Sequence, residues 1–158
     1  MKIRNGFVSN SSSSSFAVYG AEVNTDSKKF IRLLKELSVE KYNEYMRYFV
    51  RDNEDINIDD IDELLKNDEF IEYIEDDFGE LAYYICDAIG DGYEHFITED
   101  TCIIGKNYNN IGDDETGGQF RNSVLESLKQ LGATKCQYYE EVSYNYWGGL
   151  IWKLEMDL

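Results

Sequence analysis

ELAYYICDAIGDGYEHFI, residues 80–97, carries the change of period on which the fold turns. Up to Ile89 the apolar side chains recur at helical spacing. Gly90-Asp91-Gly92 is a strong turn signal, and Tyr93 to Ile97 then reads as a short strand. Toward the N-terminus, Gly79 punctuates the chain between this helix, expected over Glu80 to Ile89, and another over Asp68 to Asp77. A short helix over Asn57 to Leu65 starts at Asp59 or Asp60. A helix over Glu40 to Val50 places Tyr42, Tyr45, Met46 and Phe49 on one stripe. The helix that carries Phe30, Ile31, Leu33, Leu34 and Leu37 has Asn24, Thr25 and Asp26 as candidate caps. Before it, Phe16 to Val23 has the β-branched and aromatic content of a buried strand.

Toward the C-terminus the reading is a strand over Thr101 to Ile104, joined to the preceding strand through Glu99-Asp100, then a loop from Gly105 to Gly112. A helix capped by Asp113 or Asp114 follows, with Phe120, Val124, Leu128 and Leu131 along one face and its end at Gly132. Thr134 to Val142 reads as a strand. Leu150, Trp152, Leu154, Met156 and Leu158 alternate with Ile151, Lys153, Glu155 and Asp157 as the cleanest strand, after a turn at Gly148-Gly149. The expected class is α+β: an antiparallel sheet with helices packed on one face and an acidic helical insertion over about 52 to 92, all within one domain spanning 1–158.

The chain has 158 residues, a size that suits one domain with a real core. Its 15% aromatic content argues against a disordered acidic chain. The 32 acidic residues against 15 Lys and Arg leave a net charge of -17, unsuited to binding nucleic acid directly, which needs cations to replace counterions. The charge is uneven. Residues 1–51 hold nine bases and five acids, residues 52–100 one base (Lys66) and nineteen acids, and residues 101–158 five bases and eight acids. The middle third therefore holds essentially the whole imbalance, which bears on solubility and partners more than on fold.

Cys86, Cys102 and Cys136 are widely spaced with no CxxC pair, and His95 is the single histidine. Buried reduced thiols are expected, rather than a disulfide framework or a zinc site. No apolar run approaches the ~20 residues of a membrane span. Met1 to Gly6 leads into serines rather than a signal core, and a cytoplasmic protein is expected.

The segment RNGFVSNSSSSSF, residues 4–16, places Ser11, Ser12, Ser13, Ser14 and Ser15 between two apolar stretches. It resembles the FVSNSSSSSF signature of a family of small, functionally unassigned proteins of phages and prophages in Firmicute genomes. Ile111 to Gly117 followed by Phe120 is similar to a second block of that family. The resemblance covers about a fifth of the chain, implies a phage or prophage setting, and hands over no catalytic residues. The serines themselves admit three readings: a solvated loop, an anion-binding loop, or a recognition or modification site whose hydroxyls accept phosphate.

At ~100° per residue, Asp68, Glu69, Glu72, Glu75 and Asp76 fall within an arc of about 120°, with Phe70, Ile71, Ile74 and Phe78 on the opposite side. Asp59, Asp62 and Glu63 extend this acidity, and Lys66 is the only local compensation along the sequence. Such a row fits a basic partner, and the expected function is an acidic interaction protein, a nucleic-acid mimic that inhibits a host DNA- or RNA-binding defence or transcription enzyme. Tyr144, Tyr146 and Trp147 in the last turn form a second candidate contact patch. The alternative is a small-ligand, nucleotide or phosphate-binding domain built on the serines and residues 113–118. No Walker loop, calcium loop or nucleophile elbow is present. His95 beside aromatics reads as structural, so no catalytic residue, cofactor or metal is expected, and no enzyme.

Overall fold

The computed structural model describes residues 15–97, 101–142 and 150–154. Among them, β1 (Ser15–Val23) is followed by five helices: α1 (Ser27–Leu37), α2 (Val39–Asp52), α3 (Ile61–Leu64), α4 (Asp68–Asp76) and α5 (Phe78–Ile89). Then come β2 (Tyr93–Ile97), β3 (Cys102–Asn107), one 3-10 turn, α6 (Gly117–Lys129), β4 (Gln137–Val142) and β5 (Leu150–Leu154). The five strands lie in the order β2-β3-β1-β4-β5, and every neighbouring pair is antiparallel. The fold is α+β, with the acidic helices inserted between α2 and β2.

Helix starts follow from short polar side chains that take up orphan backbone donors. Asp26 accepts from the amides of Lys28 and Lys29, Ser38 from Lys41, Asp60 from Glu63 and Asn67 from Glu69 and Phe70. Two expected boundaries are corrected. Gly79 lies inside α5, because the break comes earlier, at Asp77. There the backbone leaves the helical region (φ -129°, ψ 67°) and the carboxylate accepts from the Glu80 amide, so α5 starts at Phe78. The cap of α6 is Thr116, not Asp113 or Asp114. Thr116 Oγ1 accepts from the Gln119 amide at 3.2 Å and Gln119 Oε1 accepts from the Thr116 amide at 2.8 Å. This reciprocal box satisfies the amides of both the cap residue and the third helical residue. The expected loop from Gly105 is also shorter, since Gly105 to Asn107 continue β3.

One face of the sheet carries the helices. Ala21 and Val23 of β1 and Cys102 and Ile104 of β3 join a core with Phe30, Ile31 and Leu34 of α1, Tyr42, Tyr45, Met46 and Phe49 of α2, Phe70 and Ile74 of α4, and the buried faces of α5 and α6. Aromatic contacts fix the insertion to α2. Phe49 meets Phe70 at 5.2 Å and Tyr73 at 5.1 Å, and Tyr45 meets Tyr73 at 5.5 Å. The buried phenols are satisfied: Tyr42 donates to the Ile58 carbonyl at 2.6 Å and Tyr73 to that of Tyr45 at 3.0 Å, as a buried hydroxyl requires.

Val18, Ile103 and Tyr139 are buried in a separate cluster on the other face. Gly20 and Gly105 face each other across β1 and β3 on that side. A Cβ on Gly20 would sit 2.2 Å from the Ile104 carbonyl oxygen, and one on Gly105 would sit 2.8 Å from Val18 Cγ2. The strands therefore approach through a glycine pair, and Val18 folds over the space that a Gly105 side chain would fill. Gly20→Ala is expected to destabilise the chain by about 2–3 kcal/mol, the cost of forcing a methyl group against backbone, read as a lowered urea midpoint. A midpoint equal to wild type would show that the strands part freely.

Candidate functional site: the acidic face of α4

α4 is nine residues long, and its two sides differ sharply. Phe70 and Ile74 have no solvent exposure. Asp68, Glu69, Glu72, Glu75 and Asp76 are all exposed, and none of the ion pairs among the described residues involves them. Asp68 and Glu69 lie at the positive end of the helix dipole, which favours them. Glu75 and Asp76 lie in the last turn, which holds no basic residue, and there the dipole disfavours negative charge. Like charges three and four residues apart add repulsion of a few tenths of a kcal/mol per pair. Burial of the apolar side holds this face in place.

The other expected acidic residues are placed differently. Asp62 is paired with Arg32 of α1 at 2.6 Å, and Glu63 with Lys66 at 3.0 Å. Asp59 is exposed, and its backbone carbonyl accepts from the Lys35 ammonium. Lys66 is the one cation close to these residues in sequence, and the fold adds Arg32 and Lys35 of α1, which no local spacing reveals. Of the expected partner-binding carboxylates, Asp59 and the five on α4 are in no ion pair among the described residues. Tyr144, Tyr146, Trp147 and Ser11 to Ser14 lie outside the described residues. Ser15 is the first residue of β1, opposite Val142.

The 112–118 block is organised as a turn and a cap. Glu115 Oε2 accepts from the Gly112 amide at 3.1 Å, Thr116 and Gln119 form the box described above, and Asp113 and Asp114 point to solvent. No group of three or more His, Cys, Asp or Glu among the described residues is arranged to hold a metal ion, and no helix among them is long and apolar enough to cross a membrane. An open cleft of about 550 Å³ lies between the start of α1 and the α4–α5 corner, lined by Thr25, Asp26, Ser27, Lys28, Glu75, Phe78 and Ile97. Its Asp26 carboxylate is engaged as the α1 cap.

Sequence reasoning does not single out Tyr48 or Tyr83, yet both stand in solvent, 52% and 57% exposed. The available signal is that each falls outside its helix's apolar stripe. Tyr83 meets Tyr84 edge-on at 5.5 Å, and Tyr84 meets Tyr45 at 5.6 Å. Lys41 bridges the same two helices, 2.7 Å from Asp87 and 3.4 Å from Glu44. Comparison with protein-family models, with curated proteins and with solved structures finds no match for this chain.

Burial disfavours the thiolate at each of the three cysteines and the charged form of His95. Burial pushes the Cys86 thiol up to about 12, with Cys102 nearby adding to the effect; burial pushes Cys102 to about 12 and Cys136 to about 11. At neutral pH, Cys86 and Cys102 are therefore expected to react with a thiol–disulfide reagent only as fast as the protein opens, and at full speed in denaturant. Rapid labelling of Cys86 in the folded chain would contradict this.

His95 lies on β2 opposite Ile104, and burial lowers its pKa below the usual value of 6.5. Between the folded and the unfolded pKa the unfolded chain binds more protons, so this contribution to stability is present above the unfolded value and fades as pH falls below it. Thermal midpoints measured downward from pH 7.5 should fall less steeply for His95→Gln than for wild type. Parallel curves would sink the assignment.

Proposed function

We propose that this chain is an acidic interaction protein that lays α4 into the basic, nucleic-acid-binding groove of a partner protein. The observation that supports the reading is the exposed, unpaired row Asp68, Glu69, Glu72, Glu75 and Asp76, on a helix whose opposite side is locked into the core. From Asp68 to Asp76 the helix rises about 12 Å, so five carboxylates give roughly one charge per 2.4 Å of axis. B-DNA carries about one per 1.7 Å. The two densities are close enough for a surface built to hold phosphates to accept the helix. A cationic groove would also relieve the repulsion within the row and the unfavourable dipole at Glu75 and Asp76.

The phage or prophage setting implied by the N-terminal resemblance supports a partner in the bacterial cytoplasm. A restriction enzyme, a CRISPR effector or RNA polymerase has the groove required. In this reading the protein inhibits by occupying the nucleic-acid site and catalyses nothing itself.

The test is affinity capture from a bacterial lysate with wild type and with Glu69→Lys, Glu72→Lys, Glu75→Lys and Asp76→Lys combined. Wild type should retain nucleic-acid-binding proteins at low salt and release them to duplex DNA, because DNA competes for the same groove. The charge-reversed chain should retain none of them. Its circular dichroism should match wild type, and its thermal midpoint should equal or exceed wild type, since two of the four lysines lie in the last turn, where a positive charge suits the dipole. Retention of the same proteins by the reversed variant would overturn the proposal.

A further inference from the structure

We propose that the tyrosine seam between α2 and α5 receives an arginine side chain from a basic segment of the protein partner. The inference deepens the reading of α4 given above and rests on it for the class of partner. Contacts along the seam set α2 and α5 antiparallel: Lys41 reaches Asp87 at one end, and Tyr45 packs on Tyr84 further along. Glu80, Tyr83, Tyr84 and Asp87 share one face of α5 by helical spacing. Tyr83 and Tyr48 are, with Val39, the large apolar side chains most open to solvent among the described residues.

The chemistry of the seam selects a guanidinium. Its carboxylates are Glu44, Glu80 and Asp87. Lys41, the cation between its walls, is already held by two of them, at 2.7 Å from Asp87 and 3.4 Å from Glu44. At the other end Arg51 lies over the Tyr48 ring, 5.5 Å from its centroid, while its Nε donates to Asp52 at 3.2 Å. The chain thus already holds one arginine between a tyrosine ring and a carboxylate. Tyr83 has a ring open to solvent, no cation over it among the described residues, and Glu80 one helical turn away and outside every ion pair among them, while Asp87, one turn away on the other side, is taken up by Lys41. A guanidinium is planar and weakly hydrated, so it stacks on a ring and pairs with a carboxylate at once; an ammonium does this less well. The seam is also continuous with the acidic face. Asp77, next to Asp76 of α4, caps α5 at the Glu80 amide, and Tyr73 of α4 bonds to the Tyr45 carbonyl of α2. A basic segment lying on α4 meets Glu80 next.

The test compares octa-arginine and octa-lysine peptides at matched salt, by titration calorimetry against the full chain. Wild type should bind the arginine peptide about fivefold more tightly than the lysine peptide, as expected for one or two exposed cation–π contacts. In Tyr48→Ala with Tyr83→Ala the two affinities should converge, with circular dichroism unchanged and a single cooperative thermal transition retained. Tyr48→Phe with Tyr83→Phe should keep the preference, because the ring and not the hydroxyl makes the contact. Equal affinities in wild type, or a preference that survives the alanine pair, would overturn the seam and leave the reading of α4 standing. Charge reversal on α4 should weaken both peptides and keep their ratio. Unchanged affinities with the ratio intact would retain the seam and sink the α4 reading.

Discussion

Burial of Phe70, Ile74 and Tyr73 against Tyr45 and Phe49 is the constraint on which the surface chemistry depends. An isolated nine-residue helix with five carboxylates on one side would not hold in water, because helix nucleation is costly and the charges repel. Packed on α2 by three ring contacts, the same segment has a fixed axis and a fixed rotation. The carboxylates are outward because the rings are inward. Tyrosine suits this clamp better than phenylalanine at position 73, since its hydroxyl also secures the α2 backbone. Burial and the carboxylates of Glu80 and Asp77 then push the Tyr73 phenol up to about 12, so it remains a neutral donor at physiological pH.

The charge of the middle third is sorted by the fold into two kinds. Around α3 it is met by Arg32 and Lys66, and such exposed pairs contribute little to stability. What they do is remove local negative charge from one side of the insertion. On α4 nothing comparable occurs, and in the first turn of α5 the Glu80 carboxyl is raised by burial and by Asp77 beside it. Asp62 and Glu63 are thus paired with cations, whereas the five carboxylates on α4 are in no ion pair among the described residues; an asymmetry of charge of this kind acts on charged molecules before contact is made.

Much of this was legible in the sequence, because hydrophobic period survives without knowledge of contacts. The stripe of Tyr42, Tyr45, Met46 and Phe49, and that of Phe120, Val124 and Leu128, both fall in the core. Local errors arose where residue type and environment compete. Gly79 looks like a breaker, but Asp77 stops α4 two residues earlier and leaves Gly79 to sit in the first turn of α5. Gly105 looks like loop, but glycine is what β3 needs opposite Gly20. The five carboxylates of α4 could be placed on one face from spacing alone. The Arg32–Asp62 pair and the seam between α2 and α5 could not, since both depend on which helices become neighbours, and no periodicity carries that information.

The position of β1 has a consequence for how the molecule is made. It is flanked by β3 and β4, whose partner residues lie at 102–107 and 137–142, while α1 to α5 are all complete by residue 89. On the ribosome, the helices can gather as they emerge, but β1 has no neighbouring strand until most of the described chain has been synthesised. Its backbone donors and acceptors stay with water until then. Closing the sheet depends on these long-range pairings, whose loop-closure cost slows folding.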